Sequence, residues 1–153
     1  MADEFVALAA NAGIDARLSD SIEQDMWDKW VFLATLAAGT CTTRSNVGEI
    51  LKVDQGEAFL LDLLDECTQV STKEGFRPNE KRMTGYKGQL TDRLSTGAAS
   101  MLRDIQQGNP VEADQIIGNL VQRARSHGIP TPRLDTAWTC LQCYENSRNT
   151  PEQ

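Results

Sequence analysis

The eleven glycines of this 153-residue chain include no G-x-G pair. That absence excludes the dinucleotide fingerprint and the P-loop, which both use closely spaced glycines to bring backbone N–H groups against phosphate. A basic stripe is also missing. The 15 Lys and Arg are outnumbered by 22 Asp and Glu, for a net charge of −7, which argues against nucleic acid and against anionic membrane surfaces as partners. The longest apolar stretch, Trp30 to Cys41, is broken by threonines and falls short of the roughly 18 residues a membrane span needs. The N-terminus, "MADEFVALAANAG", starts acidic, unlike a signal peptide, and lacks the arginines of a transit peptide. A cytoplasmic location is the default expectation, and the four cysteines fit it as reduced thiols.

What is present is the composition of a globular protein. Hydrophobic residues make up 40% and charged residues 24%, enough for a real core, and the length suits one domain or a fragment of a larger protein. Charge is uneven: the first thirty residues hold seven Asp and Glu against Arg17 and Lys29.

Periodicity divides the chain into helices after an odd start. Asp3 to Asn11 reads as a short helix, and "IDARLS" (14–19) then alternates as a strand does. No other segment could pair with that strand, so residues 1–18 look like the end of a sheet domain whose remainder is missing. A helical domain is expected over residues 19–147. Ser19, Asp20 and Ser21 offer caps, with Glu23 and Gln24 at capping-box spacing, for a helix running to about Gly39 or Thr42. A second helix follows Gly56, with Phe59, Leu60, Leu63, Leu64, Cys67 and Val70 on its inner face. The polar stretch 71–88 reads as a loop or mobile segment.

A shorter helix covers about Ala98 to Gln107. "GNP" then stops it and opens the next, with Asn109 as N-cap and Pro110 in the first helical position. That helix presents Ala113, Ile116, Ile117, Leu120, Val121 and Ala124 on one face. A last helix carries Leu134, Ala137, Trp138, Leu141 and Tyr144. A polar tail, "NSRNTPEQ", closes the chain, and residues 148–153 are expected to be disordered.

Lys29 is the residue in unusual company. It stands between Trp27 and Trp30 at the head of the apolar run, and shares a helical stripe with Met26, Leu33, Leu36 and Ala37. Either it snorkels to water along its aliphatic stem, or partial burial tunes its amine as a proton donor. On the residues alone snorkelling is the simpler account. Glu112 lies where a capping-box acid belongs, three residues after Asn109, and Ser100 and Asp104 are one helical turn apart as ordinary surface residues often are. Cys140-x-x-Cys143 has no second pair at ligand spacing, and His127 lies thirteen residues earlier. Buried and half-buried free thiols are therefore expected there, with Cys140 on the Ala137 and Leu141 face, and no metal site.

Three stretches together carry more than any residue alone. "MWDKWVFL" (26–33), "SMLRDIQQGNPVEADQIIGNLVQRA" (100–124) and "HGIPTPRLDTAW" (127–138) resemble the C-terminal domain of the ketopantoate reductase (2-dehydropantoate 2-reductase) family. They match its W-x-K, S-M-x-x-D and G-I-x-T-P patterns and its serine-to-glutamate spacing. The resemblance implies the all-α, 6-phosphogluconate-dehydrogenase-like helical domain of an NADPH-dependent oxidoreductase that converts ketopantoate to pantoate in pantothenate biosynthesis. It implies a Rossmann domain for the cofactor, of which residues 1–18 would be a remnant, and a homodimer. By resemblance Lys29 is the general acid, Glu112 orients substrate or cofactor, Ser100 contacts substrate and Asp104 supports it. The cofactor-binding residues would belong to the Rossmann half, and the chain alone is expected to be inactive. Where the family often places two substrate-binding asparagines, this chain has Leu33 and Ala37, which points toward a more apolar 2-keto acid or ketone. The alternative is a non-catalytic helical interaction or dimerisation module derived from the same family.

Overall fold

The computed structural model describes residues 1–16 and 18–149, and over them the chain is all helical. The helices are α1 (Ala2–Asn11), α2 (Ile22–Thr43), α3 (Val47–Ile50), α4 (Gly56–Lys73), α5 (Glu80–Leu90) and α6 (Ser100–Gln106). A π-helical turn, Asp114–Gly118, then runs directly into α7 (Asn119–Ser126), and α8 (Pro132–Asn149) follows. Among the described residues, no helix is long and apolar enough to cross a membrane.

Helix α2 is the centre, packed on by α4, α8, α6 and the π-turn. Its buried positions are mostly small: Ala34, Thr35, Ala37, Ala38, Gly39 and Cys41. Small residues let helix axes approach closely, and at Gly39 an added Cβ would lie 2.6 Å from Cδ2 of Leu60 on α4. The expected inner face of α4 is the observed one, with Leu60, Leu63, Leu64, Cys67 and Val70 at 0 to 1% exposure. Each such leucine contributes about 1.5–3 kcal/mol by leaving water.

Helix α4 also starts α8. The buried carboxylate of Glu66 accepts the backbone N–H of Arg133 at 3.0 Å and of Leu134 at 2.9 Å, satisfying donors that a helix start leaves open. Burial pushes the Glu66 carboxyl above its usual range, and the two N–H donors oppose that shift.

Several expectations are corrected. The strand over 14–19 does not form in the described residues of that segment, and Arg17 lies outside them; a strand without a partner has nothing to satisfy its backbone. The expected loop 71–88 instead contains most of α5, whose N-cap Asn79 accepts the Arg82 N–H at 3.0 Å. Its periodicity is faint because only Tyr86 and Leu90 are buried. At α2 no capping box forms. Ser21 is the N-cap without a side-chain bond, and Ser19 instead donates to Asp25 at 2.6 Å.

Asn109 and Pro110 do not start a helix either. The Asn109 carbonyl accepts the Tyr144 hydroxyl at 2.8 Å, and the Val111 N–H donates to Glu145 at 2.8 Å. Both bonds pin 109–111 against α8 outside any helix, so the helix begins only around Asp114. The tail is helical through Asn149, and residues 150–153 of the expected disordered segment lie outside the described residues.

Candidate functional site

The first turns of α2 expose opposite faces to different surroundings. Asp28 is 1% exposed. Its carboxylate takes Arg82 Nε at 2.6 Å and Gln24 Nε2 at 2.8 Å, while its carbonyl takes the Tyr86 hydroxyl at 2.7 Å. Lys29, one residue on, is exposed, and among the described residues it has no hydrogen bond or ion pair. The chain's own side chains therefore do not bury the amine. On the same side of α2 stand Ile22, Met26 and Leu33, at 62, 59 and 40% exposure, an apolar strip around a cation.

The aromatic pair flanking Lys29 is half-buried and structural. Trp27 packs on Trp30 at 4.8 Å and stacks on Phe76 at 5.6 Å, and the Arg123 guanidinium lies over both indoles at 5.5 and 5.8 Å. Arg123 is held in turn by Glu74 at 2.7 Å, whose other oxygen meets His127 at 2.8 Å. This cluster fixes the backbone that presents Lys29.

Trp30 also links Lys29's turn to the segment of Glu112. Its indole N–H donates to the Ile116 carbonyl at 2.8 Å, inside the π-turn, and the Ile116 N–H donates to the Glu112 carbonyl at 3.1 Å. Glu112 thus lies just ahead of the helix rather than inside its first turn, and its side chain is exposed. The π-turn packs where Gly118 leaves room for Trp138, whose Nε1 would lie 2.9 Å from an added Cβ; that same N–H donates to Asp114 at 3.0 Å.

Ser100 opens α6 at the surface. It is tied to α2 through its neighbour, since the Ala99 N–H donates to Thr40 Oγ1 at 3.3 Å. Asp104, half-buried one turn later, lies close enough to Cys41 of α2 to help raise that thiol. Burial is the larger cause: it pushes Cys41 up to about 11 and Cys67 up to about 12. Of the two positions where the family often has asparagine, Leu33 is open to the surface and Ala37 is buried.

Helix α2 thus gathers the segments of Lys29, Glu112, Ser100 and Asp104 around itself. The cysteine expectation needs correction, because Cys140 and Cys143 are both exposed on α8 rather than Cys140 joining the core face. Among the described residues, no three His, Cys, Asp or Glu gather as a metal site would need. Two features escaped sequence reasoning: the burial of Asp28, whose partners Arg82 and Tyr86 stand more than fifty residues away, and a cavity beside Ser100 with Arg44 and Arg103 in its wall. The only local hint of the first was Arg82 and Tyr86 at i, i+4 in a stretch read as loop.

Similarity to known proteins agrees with this architecture. The family model for the C-terminal domain of ketopantoate reductase PanE/ApbA matches residues 21–145. The chain is 30% identical over 138 residues to the uncharacterized oxidoreductase YkpB of Bacillus subtilis, covering 89% of this chain and 46% of that protein. It is 25% identical over 130 residues to the 2-dehydropantoate 2-reductase of Halobacterium salinarum, covering 85% and 43%. A dimeric ketopantoate reductase from Staphylococcus aureus superposes with a TM-score of 0.84 at 26% identity, over 96% of this chain and 51% of that one. A PanE/ApbA family ketopantoate reductase from Ralstonia eutropha shares the fold with a TM-score of 0.87 at 22% identity, over 97% and 49%. The chain spans about half the length of the relatives it matches.

Proposed function

We infer that this chain, which belongs to the ketopantoate reductase family as its C-terminal helical domain, is the substrate-side half of an NADPH-dependent oxidoreductase reducing a 2-keto acid to a 2-hydroxy acid. In the family the reaction takes ketopantoate to pantoate for pantothenate biosynthesis. The observation that carries the reading is the family match over residues 21–145, and the exposed, unpaired Lys29 of the W-x-K stretch supports it.

The chemistry asks for such a residue. Reduction of a ketone builds negative charge on its oxygen, and a positioned ammonium both stabilises that charge and donates the proton. In this reading Lys29 Nζ is the donor. Glu112 orients substrate from the segment that Trp30 ties to the same turn, Ser100 contacts the substrate, and Asp104 supports Ser100 from the next turn of α6. Leu33, open on the Lys29 side, offers hydrocarbon where an asparagine would offer hydrogen bonds. A site built that way favours a substrate with an apolar portion.

The residues of this chain do not fit the dinucleotide itself. The described residues form no strand and the sequence has no G-x-G turn, so they offer no Rossmann-type cradle for a pyrophosphate. The hydride donor would be held by a Rossmann domain, and residues 1–18 are read as the remnant that joins it. That domain would cover the apolar strip around Lys29 and dry the amine. We place the protein in the cytoplasm, as a homodimer like the dimeric Staphylococcus aureus relative.

Two measurements test the reading. The 153-residue chain alone should not turn over any 2-keto acid with NADPH. Joined behind a Rossmann nucleotide-binding domain it should reduce at least one, and Lys29→Ala should remove that activity. Unchanged turnover in Lys29→Ala would sink the assigned role.

A further inference from the structure

We propose that the cavity beside Ser100 recognises an oxyanion at the far end of the substrate, with Arg44 and Arg103 as the selecting residues. The inference rests on the reductase reading and deepens it by naming a substrate class: an extended 2-keto compound with an apolar middle and an anionic end.

The charge pattern points to this cavity. Among the described residues six arginines are ion-paired: Arg82, Arg93, Arg123, Arg125, Arg133 and Arg148. Among the described residues Arg44, Arg77 and Arg103 have no carboxylate partner. Two of these three line one cavity of about 410 Å³, together with Asn46, Glu49 and Ser100. In a chain with net charge −7, acids to pair them are plentiful. Glu49 is the one carboxylate in the wall, and it is engaged by the Asn46 N–H at 3.0 Å. Asp104, on α6, makes no ion pair with either guanidinium. Two planar guanidinium forks and a hydroxyl in one cavity wall suit a carboxylate or a phosphate.

Arg44 stands there against local preference. It is the C-cap of α2 with φ 58 and ψ 30, the only positive φ outside glycine among the described residues. Glycine is the residue such a position favours. The guanidinium is set against the Tyr144 ring at 5.6 Å, a contact that orients it without neutralising it.

The cavity also lies at the far end of the helix that carries the amine. Lys29, Leu33 and the buried Thr40 recur at helical spacing along one stripe of α2, Arg44 follows as the left-handed C-cap, and the Ala99 N–H donates to Thr40 to hold Ser100 beside that end. Fifteen residues at ~1.5 Å rise put Arg44 about 22 Å along the axis from Lys29. Long side chains close part of that gap, yet a compact keto acid held at Lys29 would leave the arginines empty. A longer one would lay its hydrocarbon beside Leu33 and its anionic end in the cavity.

Glutarate and, separately, inorganic phosphate should be titrated into the 153-residue chain at constant ionic strength, following arginine Nε–H and backbone amide resonances by NMR. Saturable shifts are expected at Arg44, Arg103 and Ser100 and not at Arg77, at least tenfold weaker in Arg44→Gly and in Arg103→Gln. The tighter anion identifies the end group as carboxylate or phosphate. Arg44→Gly relieves the left-handed backbone, so its unfolding midpoint should hold or rise, which separates lost binding from lost fold. Shifts that are linear, or equal at Arg77, would overturn the proposal.

In the complete enzyme, Arg103→Gln should raise KM tenfold or more for 2-keto substrates with a distal oxyanion. The value of kcat should hold, as should KM for monoacids of equal chain length. Equal effects on both substrate classes would overturn the inference. Absence of turnover with every keto acid would instead sink the reductase reading and leave the titration result standing.

Discussion

Asp28 and Lys29 are neighbours in the chain and opposites in the structure. Asp28 is 1% exposed and locked to α5 by Arg82 and Tyr86, while Lys29 is exposed and unpaired. A helix turns by about 100° per residue, so adjacent side chains answer to different surroundings. One face of α2 holds the domain together. The other presents an amine that nothing within the domain uses. A charge that stabilises is satisfied where it sits, and a charge kept for chemistry is not.

Breaking each side of that pair should give different failures. The largest effect is expected for Lys29→Ala in the complete enzyme: kcat should fall roughly 10²–10⁴-fold, the range for a positioned acid, while the unfolding midpoint of the isolated domain stays put. A stability loss in Lys29→Ala would blur the contrast. Asp28→Ala should do the reverse, removing about 3–5 kcal/mol of stability, because it takes away the buried carboxylate that Arg82 and Gln24 share and leaves a gap there. Arg82 itself is 44% exposed on its side chain and still has Asp25, so the lower end of that range is expected in urea unfolding.

Glu66→Gln tests a second satisfied acid and should cost about 1–3 kcal/mol, since an amide offers one oxygen where two N–H groups now find acceptors. The pH sense follows from the raised Glu66 carboxyl. Its folded-state value lies above the unfolded one, so its protonated form is the one folding favours. Relative to Glu66→Gln, the wild-type domain should therefore gain stability as pH falls through the raised value and lose it as pH rises. Paired urea titrations across that window would reveal the opposite slope if the desolvation account were mistaken.

The smallest effect is a count. Cys140 and Cys143 are exposed, whereas Cys41 and Cys67 are buried with thiols pushed up to about 11 and 12. A thiol reagent near pH 8 should label two sites in the native chain and four in denaturant, because the thiolate is the reactive form.

Much of the fold was legible before any coordinates. The i, i+4 repeats of α4 and of the segment from Ile116 to Ala124 report burial directly, and those residues are buried or half-buried as their periods require. The resemblance carried by 26–33, 100–124 and 127–138 brought the family into view. What was misread has two causes. Helix α5 buries only Tyr86 and Leu90, too little to register as a period. Asn109 and Pro110 have the local chemistry of a helix start, but α8 claims their segment through Tyr144 and Glu145. Local propensity was overruled by partners far along the chain.

The sequence by itself determined the helical class, the inner faces of the long helices and the family, because those follow from residue type and spacing along one segment. Only the tertiary structure decided that Asp28 is the latch and Lys29 the free amine. It alone gathered Arg44 and Arg103 into one cavity beside Ser100. Such assignments depend on which distant side chain arrives to neutralise a charge, and periodicity within a single segment holds no record of that.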